Sequence, residues 1–107
     1  MQIQINTANN VDGREALVSG AEAEVRAGLT RFGDRLTRVE VHIGDETNVR
    51  HSGEDTRCMI EARPQGKGPL SVTEHAATPT LAMSGALRKM TAALETEFGK
   101  QDEHRPR

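Results

Sequence analysis

RFGDRLTRVEVHI, from Arg31 to Ile43, is where a helical hydrophobic pattern gives way to a strand pattern within a few residues. Upstream of it, Leu17, Ala21, Val25, Leu29 and Phe32 recur at three- or four-residue spacing, which lines them along one side of a helix. Gly33 follows the last apolar position and is expected to end the helix in the left-handed conformation that satisfies the final carbonyls. Downstream, Val39, Val41 and Ile43 alternate with Arg38, Glu40 and His42. A two-residue period sends the aliphatics to a core and the polar side chains to water. The segment therefore predicts a helix laid on a half-solvated sheet.

The remaining elements follow outward from this junction. Ile3 and Ile5 alternate with Gln2 and Gln4, a short strand over 1–5 that the polar run Asn6–Asn10 should turn. Asp12 and Glu15 have the spacing of a capping box at the start of the first helix. Gly20 and Gly28 each cost that helix about 1 kcal/mol relative to alanine, so packing has to hold it. Gly44–Asp55 is polar and aperiodic, the signature of a loop. Cys58, Ile60 and Ala62 then alternate with Arg57, Met59, Glu61 and Arg63, a third strand stopped by Pro64. The Gly-rich run at 65–69 reads as a turn, and Leu70 and Val72 as a short fourth strand antiparallel to the third.

Thr78 before Pro79 reads as an N-cap with proline at the first helical position. Met83, Leu87, Met90, Leu94 and Phe98 form the buried stripe of this second helix, with Gly99 as its expected stop. The order is β-α-β-β-β-α, an α+β fold in which a four-stranded sheet carries two helices on one face, like a double-stranded-RNA-binding domain. The first two strands should run parallel through a right-handed crossover, and the last three should meander. Residues 1–99 are expected to form one domain and 100–107 a flexible charged tail.

Composition narrows the function. At 107 residues the chain suits a single modest core. Phe32 and Phe98 are its only Phe, Tyr or Trp residues, so base stacking on exposed aromatics is not its mode of action. Fourteen basic against sixteen acidic residues leave a net charge of −2, which gives no global basic field. One cysteine, no apolar leader at the N-terminus and no run long enough to span a membrane suggest a cytoplasmic protein.

No catalytic or metal chemistry stands out. His42, His51, His75, His104 and Cys58 have no spacing that seeds a metal site, and Cys58 falls on the predicted core face, where a thiol is inert. Gly66 and Gly68 precede a strand rather than a helix, so they form no phosphate-cradling loop. Neither an enzyme nor a cofactor is expected.

The element order, taken with MQIQI, NNV at 9–11, EAL at 15–17, RFGDRLTRVEVHI, the GKG turn and GALRKMTAAL at 85–94, resembles the ribosome hibernation promoting factor family. That family includes the ribosome-associated inhibitors and was once labelled sigma factor modulation. The match covers nearly the whole chain, which reads as a short, divergent member. The resemblance implies a factor that binds rRNA of the small ribosomal subunit, in the channel used by messenger and transfer RNA, and silences translation in stressed or resting cells. It also implies contact through basic residues on the helices. Lys89 stands where the family's second helix has a lysine, and Arg35 lies in the GDRL turn. Arg88, Arg31 and Arg26 complete the set. Val18, Glu24, Ala27, Ala92 and Thr96 lie where relatives often carry lysine or arginine, and Thr80 replaces a usual tyrosine. The dimerisation domain of longer relatives is not expected at this length.

Without the resemblance, Arg88 and Lys89 read as a solvated helix flank. Arg26, Arg31 and Arg35 could equally pair with Glu22, Glu24 and Asp34. Two classes therefore stay open: an RNA-contacting silencing factor, or a protein-interaction module on the same fold that uses the open sheet face or its edge. Cations gathered in one patch favour the first, and cations scattered among carboxylates favour the second.

Overall fold

The computed structural model describes residues 1–7, 14–45 and 56–103. The elements run β1 (Gln2–Thr7), α1 (Arg14–Leu29), a 3₁₀ segment (Thr30–Arg35), β2 (Leu36–Asp45), β3 (Thr56–Pro64), β4 (Leu70–Ala76) and α2 (Pro79–Glu103). The strands form one sheet in the order β1-β2-β3-β4. β1 lies parallel to β2, and the pairs β2–β3 and β3–β4 are antiparallel. α1 packs on β1 and on α2, while α2 lies across β3 and β4. This is the predicted α+β architecture.

The strand periodicity places the core as expected. Val39, Val41, Ile43, Cys58, Ile60 and Ala62 are buried beneath Ala21, Val25, Leu29, Met83, Met90 and Leu94. Ile3, Ile5, Leu17, Val72 and Leu87 are only partly covered, because they lie at the margins of the layer. The opposite face of β2 and β3 carries Arg38, Glu40, His42, Arg57, Met59 and Glu61, all half-exposed. Leu36 is a core residue that strict alternation misses. Between Leu36 and Arg38 the ladder with β3 shifts register, and the Thr37 hydroxyl donates to the Arg63 carbonyl at 3.0 Å. That bulge lets Leu36 join Val39 on the buried face, three positions away, and it is 2% exposed.

The two glycine stops do not act as the sequence suggests. α1 tightens into 3₁₀ geometry after Leu29, and Gly33 lies inside that segment. α2 runs through Gly99 to Glu103. Gly66 is the positive-φ glycine among the described residues, at 73°. It fits the third position of a type II-like turn in which the Lys67 N–H donates to the Pro64 carbonyl at 3.2 Å. The start of α2 follows the sequence, since the Leu81 N–H donates to the Thr78 hydroxyl at 3.2 Å, the N-cap bond predicted there. β1 extends through Asn6 and Thr7, which the sequence assigns to a turn. Of the loop predicted over Gly44–Asp55, Gly44 and Asp45 belong to β2 instead, and 46–55 with His51, Asp12 of the capping box and the terminal residues 104–107 lie outside the described residues.

Candidate nucleic-acid interface

The five cations named from sequence are distributed along α1, the 3₁₀ segment and α2. Arg26, in the last turn of α1, lies 3.4 Å from Glu22 one turn earlier. Arg31 forms an ion pair with Glu95 of α2, and its guanidinium stands 4.7 Å from the Phe32 ring centroid. Arg35, at the end of the 3₁₀ segment, stacks over the Phe98 ring with its guanidinium carbon 3.9 Å from the centroid. Both stacked arginines therefore combine charge with an aromatic platform that fixes their direction.

Arg88 and Lys89 are neighbours in sequence but face different partners. Arg88 lines a groove of about 520 Å³ between α1 and α2, together with Glu24, Gly28, Ser84, Leu87 and Glu95. The helices approach closely here because Gly28 has no side chain: a Cβ at that position would meet Leu87 Cδ2 at 2.9 Å. Lys89 leans toward β4 instead. Its ammonium donates to the Thr73 carbonyl at 2.8 Å and lies 3.1 Å from Glu74 Oε1. Glu74 is held below the ordinary carboxylate pKa, chiefly by the Lys89 hydrogen bond, with the charges of Lys89 and Arg88 and the His75 backbone adding to it.

Glu95 links the first group of cations, since it pairs with Arg31 and borders the groove that holds Arg88. Lys89 lies on the other flank of α2. Lys67, in the β3–β4 turn, reaches Glu97 of α2 at 3.4 Å and adds a cation that the sequence reading leaves out. Its signal was the GKG turn, which reads as a connection until the fold brings it beside α2. The open sheet face is similarly self-paired. Glu40 and Glu61 stand directly opposite each other in register. Arg38 and His42 flank Glu40 at 3.2 and 3.6 Å, and Arg63 lies 3.7 Å from Glu61.

The arrangement suits phosphate binding in part. Long cations project from one layer, but Arg26, Arg31 and Lys89 each already have a carboxylate partner. For Arg26 and Arg31 those pairs are solvent-exposed and worth roughly 0.2–1 kcal/mol, so a polyphosphate backbone can exchange with them. Among the described residues Arg88 makes no ion pair, although its charge acts on Glu74.

Among solved structures, the N-terminal domain of protein Y from Thermus thermophilus superposes with a TM-score of 0.65, covering 90% of this chain and 98% of that one at 18% sequence identity. A ribosomal subunit interface protein from Coxiella burnetii gives 0.66, covering 92% and 99% at 9% identity. The chain has the fold of these proteins. This is the architecture that the hibernation-factor resemblance implies. No protein-family model matches the sequence, and no curated protein matches it either. Identities this low carry the backbone arrangement, so the surface chemistry has to be read from this chain's own side chains.

Proposed function

We propose that the protein is a ribosome-associated silencing factor that binds the small subunit through phosphate contacts from Arg88, Lys89, Arg35, Arg31 and Arg26. The observation that carries this reading is the superposition, across nearly its whole length, on a ribosomal subunit interface protein. Cations set along the helical layer would position a folded domain on rRNA without reading bases, because phosphate contacts supply affinity while shape supplies register. No step of covalent chemistry is involved.

A second reading, a protein-interaction module acting through the open sheet face, draws on the ion pairs that tie up Arg26, Arg31 and Lys89. Pelleting with purified small subunits at low and moderate salt separates the two. Binding that weakens steeply with salt, with a log–log slope flattened by roughly one on Lys89→Ala or Arg88→Ala, is the expected result. Absence of binding at low salt removes the small-subunit reading and favours the sheet face. Binding untouched by either substitution keeps the subunit but moves the contact elsewhere.

A further inference from the structure

Glu74 occupies an unusual place for a charged residue. Register with β3 pairs it with Cys58, which is fully buried, and puts it on the helix-facing side of β4, two residues beyond Val72. A carboxylate can stand there because α2 has Gly85 at the point of contact. A Cβ on residue 85 would lie 2.5 Å from Glu74 Oε2 and 2.6 Å from its Cγ. One helical turn further on, Lys89 closes over the same carboxylate and over the Thr73 carbonyl. Gly85 and Lys89 are four residues apart and so share one face of α2. The slot and the cation that caps it are thus built by a single helical repeat.

We infer that Glu74, seated in the slot left by Gly85, holds Lys89 against β4 and so limits how much of its charge phosphate can recruit. The inference rests on the small-subunit reading and adds to it a competing carboxylate within the fold. A lysine ammonium has three donors. Two of them serve β4. Phosphate must compete for the remainder or displace Glu74. Glu74 is thereby a positioning residue, and its strength as a competitor tunes the affinity of the surface without belonging to the contact.

The test is a cycle of Glu74→Gln, Lys89→Ala and the double variant, with purified small ribosomal subunits as the probe and binding followed over a salt series. Glu74→Gln should tighten binding roughly two- to fivefold at moderate salt and steepen the log–log salt slope by up to about 0.7, with a clearly smaller gain in the Lys89→Ala background, where only the charge of Arg88 still acts on Glu74. Gly85→Ala, which expels the carboxylate from its slot, should act in the same direction. An equal gain with and without Lys89 would show mere long-range charge and overturn the inference, as would no gain at all. Acetylation of Lys89 by acetic anhydride, read by mass spectrometry on the same folded variants, gives an answer independent of the ribosome. Faster labelling in Glu74→Gln than in wild type is expected, and an unchanged rate overturns the clasp. If neither wild type nor any variant pellets with subunits, the small-subunit reading fails and the labelling rates alone decide the clasp.

Discussion

Phe32 and Phe98, the chain's two aromatic side chains, meet with their ring centroids 5.6 Å apart and their planes tilted by 39°. The contact joins the 3₁₀ segment to the last turns of α2, and both rings are nearly buried. Tilted pairs at this distance contribute about 0.5–1.5 kcal/mol beyond the area they bury. A double-mutant cycle of Phe32→Leu and Phe98→Leu, measured by urea denaturation, should return a coupling energy in that range. Phe98→Ala should cost about 3–5 kcal/mol outright. It should also release Arg35 from its platform.

Burial raises the Cys58 thiol from its ordinary 9.0 to about 12, with the charge of Arg57 opposing only part of the rise. Below pH 9 the proton is bound in both folded and unfolded chains. Between 9 and 12 only the unfolded chain gives it up, so stability falls as pH rises, at about 1.4 kcal/mol per pH unit. The stability difference between wild type and Cys58→Ala, followed by chemical denaturation from pH 8 to 11, should therefore shrink with pH. In the native state at pH 8, Cys58 should resist a disulfide reagent and react on unfolding.

The Thr78 hydroxyl satisfies the Leu81 N–H at the start of α2. Thr78→Ala should cost about 0.5–2 kcal/mol, and Thr78→Ser or Thr78→Asp should retain most of the stability. Thermal melts of the three variants check the ranking. A loss as large in Thr78→Ser as in Thr78→Ala would place the effect in packing instead of capping.

Leu36 reaches the core only because of the bulge at Thr37. Leu36→Ala should cost about 2–5 kcal/mol, the loss of a fully buried leucine. An exposed residue at that position, as strict alternation would have it, would lose less than about 0.5 kcal/mol. Denaturant midpoints distinguish the two readings directly.

Much of the fold is legible in the sequence because its strands keep clean periods and its helices carry unbroken apolar stripes. The failures have physical causes. Gly33 and Gly99 allow a left-handed stop but do not compel one; continued burial of Phe32 favours a tightened 3₁₀ turn at the first site. Leu70 and Val72 alone predict a short β4, whereas the strand continues past Glu74, which Gly85 leaves room for and Lys89 pairs with. The candidate cations were readable as residues. Their partners were not, because the pair Arg31–Glu95 spans 64 positions and that proximity comes from tertiary packing alone. Lys67 was missed for the same reason.

The parallel seam between β1 and β2 carries a kinetic consequence. Gln2 pairs with Arg38 and Thr7 with Ile43, so this strand closes across the whole of α1. The β2–β3–β4 meander and α2, by contrast, are neighbours in order along the chain. Loop-closure entropy makes the long-range pairing the later event in folding. The same edge strand, with Ile3 and Ile5 only partly covered, should open before the central pair β2–β3. Amide hydrogens of β1 should exchange with solvent faster than those of Val41 and Ile60 in the middle of the sheet, making the N-terminal strand the seam along which this domain comes apart.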